Sequence, residues 1–126
     1  MSSLADRYRA YIACLNARDW ARLGEFVHPA VVHNARHLHV DGYRQMLEND
    51  VAAIPDLQFN VEMLIVEGNR LASRLRFDCT PRGVFLGLPV NGRRVSFAEH
   101  AIYAYEGNMI AEVWSLIDKA AIEAQL

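Results

Sequence analysis

The sequence predicts an α+β domain: a cone-shaped barrel made of a curved antiparallel sheet packed against three N-terminal helices. Three observations carry this reading. Apolar residues recur at helical spacing up to Ile54, the pattern turns to period two after Asp56, and glycine-asparagine pairs then punctuate the chain as hairpin turns. At 126 residues the chain is the size of one domain, taken as residues 1–126. A curved sheet closed by helices encloses a pocket, which is the default place to look for function.

Each element follows in order. Leu4, Tyr8, Tyr11, Ile12 and Leu15 form the apolar stripe of a first helix. Asn16-Ala17-Arg18-Asp19 breaks it, and Asp19 is suited to cap a short second helix that carries Trp20, Leu23, Phe26 and Val27. Pro29 stops that helix, and Val31-Val32 reads as a brief strand. A third helix starts near Asp41, a capping acceptor, and buries Tyr43, Met46, Leu47, Val51 and Ile54 before Pro55-Asp56 ends it. Phe59, Val61, Met63 and Ile65 then alternate with Gln58, Asn60 and Glu62, and Gly68-Asn69 turns the chain into a return strand from Leu71 to Asp78. Thr80 to Gly92 is a loop rich in glycine and proline. Two further strands, about Val95 to Tyr105 and Ile110 to Asp118, flank a turn at Glu106-Gly107-Asn108, and the tail from Lys119 forms a last helical turn or two.

Composition narrows the function. Net charge is -2 and no cluster of basic residues exceeds the pair Arg93-Arg94, which argues against nucleic acid and anionic membrane as partners. Mean hydropathy is +0.01, and no apolar run approaches the roughly 20 residues that span a bilayer. Cys14 and Cys79 lie far apart, fit no metal spacing and follow no leader segment, so they are expected as reduced thiols in a cytoplasmic protein.

Three segments, "YIACLNARDWARLGEFVHPAVVHN", "FDCTPRGVFLGLPVNGRRVSF" and "IYAYEGNMIAEVWSLIDK", resemble in order and spacing the SnoaL-like polyketide cyclase (ester cyclase) branch of the nuclear transport factor 2-like superfamily. The second resembles its pattern F-x-G-x-P-x-x-G-R-x-V and the third its closing E-x-W-x-x-x-D. With the helix order, the resemblance covers nearly the whole chain. It implies an intramolecular aldol closure of a polyketide ester without metal or cofactor, and it matches Asp118 to the family's acid/base aspartate. The superfamily also hosts isomerases, hydrolases, dehydratases and plain binding modules, so the fold alone does not choose the reaction.

The chemistry needs a base that removes a proton alpha to a carbonyl, and a donor that steadies the enolate. Trp114, Leu116 and Ile117 could wall in Asp118 and raise its pKa; alternatively Asp118 simply caps the helix starting at Lys119. If Gly107-Asn108 is a two-residue loop, Asp118 pairs with Phe97 and shares a sheet face with Glu99. A one-residue bulge brings His100 to Asp118 instead, so both stay candidates. By the resemblance, His33 and Asn34 follow the Val-Val pair where a residue points into the pocket, and they position the substrate oxygen. Tyr11, Trp20, Phe85 and Trp114 complete the expected substrate-binding set, Phe85 from a loop suited to be a lid. Tyr103, Tyr105 and Trp114 form an aromatic row suited to a homodimer through the sheet, as related folds pair.

Three other readings are disfavoured. Ketosteroid isomerase resembles this chain in element order, yet Asn34 stands where its base is expected. Arg76-Phe77-Asp78 has the form used by limonene-epoxide-hydrolase-like enzymes but lies one strand early, with Leu116 at the place of their second aspartate. His37-Leu38-His39-Val40-Asp41 begins like the hydrolase motif H-x-H-x-D-H, but Gly42 replaces the final histidine, so no metal is expected. Two hypotheses remain: a cofactor-free acid/base enzyme acting on a hydrophobic carbonyl compound, or a ligand-binding module without chemistry.

Overall fold

The structure, a computed structural model, describes residues 3–126. Helix α1 (Leu4–Asn16) begins at Ser3, whose hydroxyl accepts the Asp6 amide at 3.1 Å, and it buries Tyr8, Tyr11, Ile12 and Leu15 as the spacing predicts. The second helical segment, Trp20–Glu25, is a 3-10 turn rather than an α-helix. Arg18 enters it at φ 58° and the Asp19 side chain makes no capping bond, so nothing nucleates a full α-turn. Strand β1 (Val27–His33) then starts before Pro29, not after it. Its register against the last strand shifts between Val27 and Val32, an irregular stretch where a proline without an N–H is tolerated.

Strand β2 (Arg36–His37) folds back on β1, and α2 (His39–Ala53) follows. Asp41, expected as the cap, is not the residue at that position. Leu38 holds the cap position without a side-chain bond, and Asp41 lies in the first turn, where its charge suits the positive end of the helix. Strands β3 (Asn60–Glu67) and β4 (Arg70–Cys79) form a hairpin, and β5 (Val84–Phe85) with β6 (Leu88–Pro89) forms a small separate one. Strands β7 (Val95–Glu106) and β8 (Met109–Ile117) complete the sheet, and α3 (Lys119–Glu123) follows. The sheet order is β2-β1-β8-β7-β4-β3, with β1 and β8 parallel and the other neighbours antiparallel.

Two register shifts decide which side chains look inward. In β3 the shift between Val61 and Met63 ends the alternation that begins at Phe59, and it leaves Met63 and Ile65 exposed. In β8 the pairing Glu106 to Met109 and Tyr105 to Ile110 holds, then slips by one so that Ala104 meets Glu112. Val113, Ser115 and Ile117 therefore line the inside and Trp114 faces outward, while Leu116, though largely exposed, also borders the cavity. Tyr103 and Tyr105 are buried, so the aromatic row expected on the surface is internal except for Trp114.

Side-chain amides extend the sheet where strands run out. Asn16 both accepts the Phe59 N–H at 2.7 Å and donates to its carbonyl at 3.0 Å. Gln125 does the same for Ser96 at 2.8 and 2.6 Å, and Asn34 for Ser115 at 2.8 and 3.1 Å. Each amide carries one donor and one acceptor side, so it mimics a neighbouring strand at an orphaned backbone residue. Among the described residues no helix is long and apolar enough to cross a membrane.

Candidate functional site

A cavity of about 460 Å³ opens between α1, α2 and the inner face of β7 and β8. Its wall is mostly apolar, with Ile12, Leu15, Leu47, Leu75, Val113 and Ile117 supplying much of it. Against this wall stand Tyr11, Tyr43, Tyr103, His33, Asp50, Glu99 and Ser115. The alternation of β7 puts Glu99 there: it occupies the inward register between the buried Phe97 and Ala101. Helix α2 brings in Tyr43, Met46, Leu47 and Asp50 at successive positions of one face.

The two carboxyl groups are the site's electrostatic centre. Burial pushes Glu99 from the usual 4.5 to about 7, with the nearby Asp50 charge adding to the rise and a Ser115 hydrogen bond opposing it. Burial likewise pushes Asp50 from 3.8 to about 6. Both are thereby poised to take up and release a proton near neutrality. The Tyr11 and Tyr43 hydroxyls are 2.7 Å apart, and burial holds both phenols well above their ordinary range. Two protonated hydroxyls share one mutual bond, which leaves one O–H to point at a ligand oxygen. Burial lowers the His33 pKa, with Arg36 adding to the effect, and its ring meets Tyr43 edge-on at 6.1 Å.

The residues expected at the site divide sharply. Glu99, His33, Asn34 and Tyr11 line the cavity. Asp118 does not: it is exposed, caps α3 by accepting the Ala121 N–H at 3.1 Å, and donates its own N–H to Ala98. His100 lies on the outer face, 2.7 Å from the Arg74 guanidinium, which also binds Glu62 at 2.8 Å. The β8 bulge pairs His100 with Leu116 rather than Ser115, and β8 ends at Ile117, so Asp118 lies beyond the paired strand. Trp114 is outside too, under the Arg70 guanidinium, and Trp20 packs half-buried on the core. Phe85 sits beside Phe97 at 5.9 Å and lines a smaller aromatic cleft that shares Glu99 and Asp50 with the main cavity. From the same loop Leu86 reaches the main cavity, its backbone and that of Gly87 making the tight turn with φ of 53° and 76°. His37 and His39 are exposed.

Asn34 touches the cavity, but its amide is committed to Ser115 and its φ is 47°, a left-handed value that asparagine tolerates better than most residues. Its work is structural. Asn34→Ala loses both bonds and is expected to destabilise the fold by about 2 kcal/mol in urea denaturation. A change within about 0.5 kcal/mol, the range of neutral surface substitutions, would show that the clamp holds nothing.

Comparison with known proteins agrees with this fold. A family model described as SnoaL-like polyketide cyclase matches residues 5–126. A SnoaL-like polyketide cyclase from Agrobacterium tumefaciens strain C58 is 51% identical, with TM-score 0.98 over 99% of this chain and 98% of that one. TsrD from Streptomyces laurentii is 26% identical, with TM-score 0.82 over 94% of this chain and 90% of its own. IdmH from Streptomyces antibioticus, at 20% identity, shares the fold with TM-score 0.85 over 98% of each chain. No curated protein matches in sequence.

Proposed function

The chain belongs to the SnoaL-like polyketide cyclase family, and from that premise we propose that it is a cofactor-free acid/base enzyme acting on an enolisable, largely apolar carbonyl compound of polyketide type. One observation carries this: Glu99 shares an apolar cavity with the Tyr11–Tyr43 hydroxyl pair. In the reaction the Glu99 carboxylate takes a proton alpha to the substrate carbonyl, and the tyrosine pair donates a hydrogen bond to the enolate oxygen. The enolate carbon attacks a second carbonyl of the same molecule. The resulting alkoxide takes back a proton from Glu99, and the base is regenerated. The chemistry calls on no metal ion and no cofactor, and the two buried, free cysteines suit a cytoplasmic setting.

The alternative, a binding module without turnover, draws its support from the exposure of Asp118, the residue that the family resemblance matched to the acid/base. Proton exchange separates the two. 2-Tetralone, a bicyclic ketone with acidic alpha hydrogens, is incubated with the protein in D2O and followed by NMR. The enzyme reading expects protein-dependent loss of the alpha protons, and this loss disappears in Glu99→Gln. Binding without exchange selects the module.

The partner surface in this proposal is a second copy of the chain. Register places Ile65, Ala72, Ile102 and Trp114 in one row across four strands, with Met63 and Leu116 at the ends of the next. This outer face exposes Met63, Ile65, Ile102, Trp114 and Leu116 among the described residues, a patch of the kind proteins cover by pairing. The chain of 14.3 kDa is expected to run at twice that mass in light scattering, and Ile102→Glu to return it to one. A wild-type monomer at high micromolar concentration would sink the homodimer.

A further inference from the structure

Asp50 borders more than the cavity. On the other flank of α2 lies a groove of about 380 Å³, lined by Arg36, Gln45 and Asn49 among others, and it ends on Asp50 and Met46. Met46 and Asp50, one helical turn apart, line both the groove and the main cavity, so they form the partition between them. Asp50 and Glu99 also line the small aromatic cleft together. The carboxylate thus stands at the meeting point of all three spaces, and no side-chain hydrogen bond occupies it among the described residues. Gln45 and Asn49 bond to each other at 2.9 Å and give the groove a polar wall that suits water.

We infer that Asp50 relays protons between Glu99 and solvent through this groove, a space distinct from the cavity that holds the substrate. The proposal rests on the acid/base reading of Glu99. After Glu99 has taken the alpha proton, the proton passes to the Asp50 carboxylate, which leaves Glu99 ionised; Asp50 then gives it to a water in the groove and is itself ionised again. The reverse path supplies protons. Each transfer moves one proton and no electrons, and water is the only co-reactant. The value of such a relay is that the proton on Glu99 exchanges with solvent while the ligand still fills the cavity.

Exchange of 2-tetralone alpha protons in D2O tests this with Asp50→Asn, which keeps the side-chain shape, and Asp50→Ala, which leaves a space. Both are expected to bind 2-tetralone as the wild type does and to exchange it at least about tenfold more slowly, within the range of a lost proton-transfer group. Formate, entering the groove as a stand-in carboxylate, is expected to restore the rate of Asp50→Ala in proportion to its concentration and to leave Asp50→Asn unchanged. A purely structural role for Asp50 would not respond to formate. Exchange at the wild-type rate in Asp50→Asn sinks the relay alone, as does a slow Asp50→Ala that formate cannot restore. Absence of exchange in the wild type sinks the acid/base reading and the relay with it.

Discussion

Glu99→Gln lowers the rate of alpha-proton exchange by about 10² to 10⁴-fold, the usual contribution of a positioned general base, while ligand affinity stays near that of the wild type. The substitution keeps the size of the side chain and much of its hydrogen-bonding capacity, so the apolar wall and the tyrosine pair are undisturbed; what is lost is the carboxylate that accepts the alpha proton. The same group sets the pH dependence. As a base Glu99 must be ionised, and its pKa near 7 makes the wild-type rate fall as pH drops below that value. Asp50, near 6 and coupled to Glu99, gives the profile a second step, and the two apparent values belong to the pair rather than to either residue. The measurement is the exchange rate from pH 5 to 9. A Gln variant within about threefold of wild type, far short of a general base's share, would remove Glu99 from the chemistry.

Much of this centre is legible in the sequence, and what is not has identifiable physical causes. Glu99 follows from simple alternation along β7, since its neighbours at even spacing, Phe97 and Ala101, must be inward. Asp50 was equally available: it lies on the stripe of Tyr43, Met46, Leu47 and Ile54, and a carboxylate on an apolar helical face is a signal in its own right. Reading only the apolar members of the stripe passed over it. The bulges are different. Nothing in Glu62 or Ala111 marks an extra residue, because a bulge reflects how the whole strand twists against its partner, and it has no turn chemistry of its own. One such slip was enough to move Trp114 from the cavity wall to the outer face.

Asp118 illustrates a competition that the sequence leaves open. A carboxylate at the junction of a strand and a helix can serve the pocket or satisfy the first free N–H groups of the helix. Here the local bond to Ala121 prevails, since it costs no desolvation and little ordering. Asn34 was drawn by a similar local need, the unpaired backbone of Ser115 beyond the end of β1. The resemblance pointed both positions at the pocket; Asn34 borders it and Asp118 does not, and both side chains are occupied with the backbone. Glu99, whose strand neighbours already satisfy the backbone, is free to face the ligand.

The loss of activity in Glu99→Gln comes with a gain in stability. Glu99 rises on folding from 4.5 to about 7, so between those values the folded state holds a proton that the unfolded chain has released. Stability therefore declines as pH climbs through this window, is highest below it, and levels off above about 7. A shift of this size corresponds to roughly 3 kcal/mol once Glu99 is fully ionised, and Asp50, raised in the same direction, adds a dependent share that cannot be summed with it. Glutamine, neutral at every pH, carries no such penalty. Urea denaturation at pH 5 and pH 8 is expected to give the variant and the wild type similar stability at pH 5. At pH 8 the variant leads by about 2 to 3 kcal/mol, an active-site carboxylate being a group that a fold keeps at the expense of stability. Equal stability at both pH values would mean that Glu99 is hydrated enough to ionise freely, and a carboxylate so solvated would have no reason to titrate near neutrality or to serve as a poised base.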